Sequence, residues 1–520
     1  SGDKSKLKVK YGDEITDVIY DLKWKREDRY LVNKKAFLKN IWLLTCAELF
    51  INSKRPAKLN WSYPSSMPRD LIRTYEGIFE EIISEVDPII TQRKDIERVR
   101  PAKINTGSIH DQAITESEAI CNYALTRGNV SIAQNNVFVG IDIGGITSDI
   151  LLVTNDPGDK RGLLLKQSSV KIAGDRLAKI IGSSESIKSL LRHFVKSNNV
   201  VITDIDQIGS ETAGYYTNLL FDLLEDDERL EQSFYNTIWA PDDEELNRSE
   251  TRGLIAVPAY ICGLLLFHSG QLLASSIDDD EEQDTFNLKD RLAVTVSSFG
   301  KGGKLFDWLP TAFGDTTATE YYKQCFELGL GVSETVRSMR DSLKVRFEHR
   351  KADRSDLKRE VSMGLVTQRG LIRKHANAEH DIIGEKGYFF EDENDFMTWD
   401  KSITPDYIYE IGEKFRYPKL DMEKNRITGL EHFDVFLNKF LEFVRIEGII
   451  DSTVIVQNAD NFVENYLENY VKSDEDYLAS SRINEHSDEI EDFSFSASPF
   501  LLQGACFLDK VLIPNIYRIS

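Results

Sequence analysis

The chain has 520 residues, with 64 Lys and Arg against 86 Asp and Glu, which gives a formal net charge of −22 at pH 7. That excess of acid argues against a nucleic-acid platform, which needs a basic surface or stripe to meet phosphates. Hydrophobic residues make up 41% and charged residues 29%, an ordinary globular balance that excludes wholesale disorder.

At roughly 100 to 200 residues per domain the length allows several units or one large composite domain. No stretch reaches the ~18 consecutive apolar residues of a membrane span, so no span is expected. The polar start Ser1-Gly2-Asp3-Lys4-Ser5-Lys6 has no apolar segment of the signal-peptide kind. Ser-Gly reads as a scar or a trimmed end, which leaves room for upstream residues. Cys46, Cys121, Cys262, Cys325 and Cys506 form no Cys-x-x-Cys. They read as buried thiols in a reducing compartment, so the expected location is cytoplasmic.

In chain order, residues 7–10 alternate like a short strand. Phe37, Leu38, Ile41, Trp42, Leu44 and Leu49 predict a helix, and the alternation from Ala57 to Tyr63 predicts a strand. A second helix opens near Pro68, a strand lies around 103–114, and a helix runs from about Glu116 to Arg127. Val137–Ile143 reads as a strand, Gly144-Gly145 as a tight turn, and Thr147–Val153 as a strand returning antiparallel. A third strand ends near Gly174-Asp175, where a helix starts. Residues 183–250 read as a polar, partly helical insertion. A strongly apolar helix from Pro258 to Leu273 is followed by an acidic loop and the strand Leu292–Val296. Then comes Gly300-Lys-Gly302-Gly303, ahead of an amphipathic helix. Residues 333–364 read as one long charged helix, 370–420 as irregular, and Phe433–Phe443 and Phe500–Leu512 as apolar helices.

Two places permit phosphate chemistry. In Asp142-Ile-Gly144-Gly145-Ile-Thr147-Ser-Asp149 the paired glycines bring unshielded N–H groups against an anion. The Thr147 hydroxyl adds a donor, and Asp142 at the strand end can hold a water of a bound Mg2+. An ordinary hairpin is the alternative. Gly-x-Gly-Gly straight after an apolar strand is where a phosphate or nucleoside can lie against backbone. His375 and His380 are five apart and miss a helical metal pair. There is no Gly-x-Ser-x-Gly elbow and no Walker-type loop.

Residues 141–150 resemble the second phosphate motif of the superfamily that contains actin, the seventy-kilodalton heat-shock chaperones and the sugar kinases. Thr115-Glu-Ser-Glu-Ala-Ile120 resembles the connecting helix before that motif, and residues 294–305 are similar to the adenosine motif. The resemblance implies an α/β protein with a duplicated ribonuclease-H-like (actin-like ATPase) fold, helical insertions and an extension. Its first half would be 1–130 and its second 131–310 with the insertion at 183–250. The extension, 311–520, would be mostly helical, with a last helix packing on the core. ATP and Mg2+ are the implied cofactors. Asp142 would position the metal, Gly144, Gly145 and Thr147 the phosphates, and Glu116 the attacking water. Gly174 and Asp175 would approach the nucleotide from a helix N-terminus, and Gly300, Gly302 and Gly303 would take the adenosine. Asp149 is either a catalytic helper or a hairpin-stabilising residue, and Glu118 reads as surface. Ile146 stands where many members have Gly, and the first Asp-x-Gly phosphate hairpin is missing and would belong upstream of residue 1. The function implied is an ATPase whose nucleotide state controls a protein partner or self-assembly. A non-catalytic interaction module on the same fold is the alternative, with a small-molecule kinase third.

Overall fold

A computed structural model describes residues 8–11, 14–17, 22–23, 28–52, 59–64, 67, 69–91, 113–126, 136–145, 147–155, 162–170, 172–200, 202, 208–209, 213–239, 248–278, 292–338, 344–350, 360–366, 372–374, 382–383, 388–390, 395–397, 402–403, 415–416, 431–450, 455, 457–459, 461–462 and 499–517. The architecture is mixed α/β, mostly helical, around one mixed sheet.

Strands β1 (Lys8–Tyr11) and β2 (Glu14–Asp17) form an antiparallel hairpin. Helix α1 (Asp28–Ile51), strand β3 (Trp61–Tyr63), helix α2 (Arg69–Thr91), strand β4 (Ala113–Thr115) and helix α3 (Glu116–Thr126) follow. β3 and β4 pair in parallel, as strands joined by a crossover helix must. Trp61 is the centre of this layer: its ring lies 5.2 Å from Phe79 and 6.4 Å from Tyr75, with Leu38 and Trp42 of α1 packed against the same cluster.

The six-stranded sheet contains β5 (Asn136–Ile143), β6 (Ser148–Asn155), β7 (Gly162–Val170), β8 (Leu292–Phe299), β9 (Val345–Arg350) and β10 (Ile372–Lys374), in the order β10-β7-β6-β5-β8-β9. β5, β6 and β7 are antiparallel neighbours, while β8 lies parallel to β5 and β9 parallel to β8. The central strands are apolar on both faces because both are covered. Val139, Ile141, Ile150 and Leu152 face the large helical side, whereas Phe138, Leu151, Val153 and Phe299 face α3. Alternate side chains of a strand point to opposite faces, so Asp142 and Asp149, in register with Phe138 and Leu151, share the α3 side.

Between β7 and β8 run α4 (Asp175–Ser183), α5 (Glu185–Ser197), α6 (Ala213–Asp226), α7 (Glu228–Trp239) and α8 (Arg248–Asp278). The apolar pattern alone suggested Pro258 to Leu273 for α8. The helix starts ten residues earlier and carries Pro258 inside it. In length and composition α8 also matches a membrane span, but here that apolar stretch is wholly buried. It packs on β6, β7, α9 (Leu305–Phe313) and α10 (Asp315–Leu330). Two glycines let α8 and α10 cross at backbone distance. A Cβ on Gly270 would fall on the Phe326 carbonyl, and one on Gly329 on the Phe267 carbonyl.

The position 310 expected to close the second half falls inside α9, and chain beyond it enters the same layers. β9 and β10 form the two edges of the sheet. The expected long helix over 333–364 is not found: α11 (Glu334–Ser338), β9 and α12 (Glu360–Val366) lie there. Val345-Arg-Phe-Glu-His-Arg carries charge at the alternate, more exposed positions of an edge strand, which in sequence imitates a solvated helix. Short strand pairs join 382–383 with 402–403, and 388–390 with 395–397 and 415–416. Helix Glu431–Ile446 packs on α8 and α10. Helix Pro499–Phe507 packs on α8, the Phe500 ring stacking on Phe267 at 4.8 Å and Tyr260 Oη donating to the Gly504 carbonyl at 2.8 Å. The five cysteines are buried and free. His375, His380, the acidic residues 279–282 and residues 473–492 lie outside the described residues.

A Cβ at the α8–α10 crossing has backbone on the other side and nowhere to go. Gly329→Ala is therefore expected to destabilise the protein by about 1–3 kcal/mol, read as a lower urea midpoint with an unchanged slope. An unchanged midpoint would contradict the crossing.

Candidate functional site

The site forms where β5 and β8 end side by side. Their parallel register sets Asp142 opposite Phe299, so the turn after β5 and the Gly-rich turn after β8 leave the sheet together. After β5, Gly144 N–H donates to the Thr147 carbonyl at 2.8 Å and closes the hairpin. Gly145 is exposed, with open space where a Cβ would be. Thr147 is half-buried. Ile146 lies outside the described residues.

The start of α4 is fastened to the same turn through backbone. Gly174 N–H donates to Gly144 O at 3.2 Å, and Asp175 N–H donates to Gly145 O at 2.8 Å. Gly174 and Asp175 thus adjoin Gly144 and Gly145, but these two N–H groups are spent on the turn. The Asp175 carboxylate takes an ion pair from Arg176 at 2.7 Å, and Arg176 also reaches Asp509 at 2.9 Å.

The Gly-rich turn closes over Asp142. Gly300 has φ +68°, and a Cβ there would fall on Oδ1 of Asp142. A Cβ on Gly302 would meet Ile143 O at 2.5 Å, and one on Gly303 would meet backbone of Ser298 at 3.2 Å. Residues 301–304 form a 3₁₀ turn, with Gly303 N–H donating to Gly300 O at 3.1 Å. Side chains are excluded here because backbone lies directly against the Asp142 carboxyl and Ile143. From the insertion, Asp222 of α6 forms an ion pair with Lys301.

On the α3 side, Thr115 caps the helix, its Oγ1 accepting from Glu118 N–H at 3.1 Å and donating to Gln167 of β7 at 2.9 Å. This ties the start of α3 to the sheet and places Glu116 beside the end of β5. Glu116 is held by Lys23 at 2.6 Å, with about a fifth of its side chain exposed (22%). Glu118 is half-buried rather than a plain surface residue. α12 closes this side: Gly364 sits where any Cβ would strike the Ala119 carbonyl, and Asn60 donates to Leu365 O at 2.7 Å.

The Asp142 carboxyl is held well above the ordinary carboxylate range, by burial first and then by the negative charges of Asp149, Glu116 and Glu360, with Lys23 opposing. Asp149 is buried directly across the hairpin from Asp142. A carboxyl among like charges is relieved by a cation. Among the described residues no three His, Cys, Asp or Glu side chains come together as direct metal ligands.

The residues read as a nucleotide site therefore lie on the facing ends of β5 and β6, the two turns, the start of α4 and the start of α3. Lys23, Glu360, Asp222 and Arg176 were missed. No local pattern marks Lys23, Glu360 or Asp222, because each reaches the site from a distant segment, while Arg176 follows Asp175 directly and is marked out only by its pairing with Asp509. No protein-family model matches the sequence, and no curated protein matches it either.

Gly300→Ala should destabilise by about 1–3 kcal/mol, since it strains a positive φ and drives a methyl into Asp142. Gly145→Ala, facing open space, should stay within about 0.5 kcal/mol of the parent. Equal midpoints for the two variants in urea would contradict the described turn.

Proposed function

We propose that this chain binds Mg-ATP at the convergent ends of β5 and β8 and acts as an actin-like or chaperone-like ATPase whose nucleotide state governs a protein partner or its own assembly. One observation carries the reading: the Gly300–Gly303 turn closes on Asp142 and Ile143 beside the Gly144–Gly145 turn, so two glycine turns lie together at the carboxyl end of parallel strands. Ligands of open α/β sheets bind at such ends. The strand order β7-β6-β5-β8-β9, three antiparallel strands followed by two parallel ones, is the order of a ribonuclease-H-like half. The parallel pair β3 and β4, with α1, α2 and α3, fits the later part of a second such half. The duplicated arrangement rests on these two matches.

When bound, Mg-ATP would supply a phosphoanhydride for water to attack in line, with the metal spreading the charge of the transferred group. Gly145 N–H and the Thr147 hydroxyl would hold phosphate oxygens, and Asp142 would orient a water of the metal. Gly300, Gly302 and Gly303 would let adenosine lie against backbone, while Gly174 and Asp175 would shape the phosphate turn from α4. Glu116 would orient the attacking water through a hydrogen bond. Lys23 favours the second reading, a non-catalytic module on the same fold, because an ion-paired Glu116 is a poorer acceptor for water.

Mg-ATP should raise the melting temperature through binding to the folded state, by an amount that grows with ligand concentration. Asp142→Ala should abolish that shift, and a shift that survives it would overturn the site. Glu116→Ala should keep the shift and slow phosphate release at least about tenfold if water is oriented there. Release equal to the parent's would favour the non-catalytic module.

A further inference from the structure

Of the twelve large hydrophobic residues that stand exposed among the described residues, seven lie on α1: Leu31, Val32, Phe37, Ile41, Leu44, Phe50 and Ile51. The other five are spread over three helices. α1 is apolar on two sides. Leu38 and Trp42 pack against the Trp61 cluster, and on the other side Phe37 is 57% exposed, Leu44 70% and Ile51 77%.

Phe37, Ile41, Leu44, Glu48 and Ile51 follow one another by four, three, four and three residues. That is the heptad spacing of a seam between two helices. Lys35 and Lys39, which would interrupt such a seam, are turned to α2 and paired with Glu85 at 2.8 and 2.6 Å. Glu48 is the one charge left on the seam. A parallel partner of the same sequence would set Glu48 against Glu48, whereas an antiparallel one separates the two.

We propose that a second copy of this chain covers α1, the two helices packing antiparallel along Phe37, Ile41, Leu44 and Ile51. The seam covers the exposed parts of Phe37, Ile41, Leu44 and Ile51, and a specific interface needs about 1,200 Å² in all, roughly 600 Å² from each copy. The contact is isologous, since each copy offers the same patch. It closes as a dimer and does not rest on the ATP reading, so its failure leaves that reading untouched.

Sedimentation velocity of the 520-residue chain without nucleotide, from about 1 to 100 μM, tests it. The wild type should dimerise within that range. Leu44→Glu should weaken the dimer at least tenfold, about 1.4 kcal/mol, with an unchanged circular dichroism spectrum, because Leu44 supports nothing in the single chain. Leu44→Ser serves if the glutamate variant does not fold, and Val366→Glu, equally exposed elsewhere, should dimerise as the wild type does. A wild type that stays monomeric throughout, or a dimer as tight in the Leu44 variant as in the parent, would overturn the proposal.

Discussion

The structure turns on one close approach, Gly300 against the carboxyl of Asp142. It exists because β8 lies parallel to β5 in a register that ends both strands together. A residue with a side chain at 300 would have to displace the carboxyl, and a shift of register by one residue would turn Asp142 away from the α3 side of the sheet. The hairpin, the α4 start and the Gly-rich turn then fall into place as neighbours of one acidic side chain. Their shared economy is backbone: Gly144, Gly145, Gly174, Gly300, Gly302 and Gly303 meet one another or the sheet without side chains between them.

Distant parts of the chain hold this arrangement. α8 gives the sheet a fully buried support, and the glycines at its crossing with α10 bring the chain beyond residue 310 into the same core. Helix Pro499–Phe507 lies on α8 through Phe500 and Gly504. The turn after it returns to the site through the Arg176–Asp509 ion pair. The start of α4, fastened to the Gly144–Gly145 turn, is thereby joined to the last described segment by a pair only 11% and 18% exposed and so less screened than a surface pair.

How much the sequence disclosed follows from how local each signal is. The hairpin at 136–155, the start of α3 at Glu116 and the glycine turn after β8 are written in consecutive residues, by strand alternation, by Thr115 ahead of Glu118, and by glycines ending an apolar run. Their elements lie within a few residues of expectation. Pro258 misled because a helix packed on every side can accommodate a proline that would end an exposed one. β9 misled because a charged edge strand and a charged helix face use the same residues. The partners Lys23, Glu360 and Asp222 had no local mark. Their place depends on which segments fold back, and only the three-dimensional arrangement states that.

On the proposed reading, the turn after β5 and the turn after β8 hold one anion between them. Amide hydrogen exchange with and without Mg-ATP measures this directly. Residues 142–149 and 298–305 should become protected together, at one common ligand concentration. Protection of one segment without the other, or of neither while the ligand binds elsewhere, would contradict it.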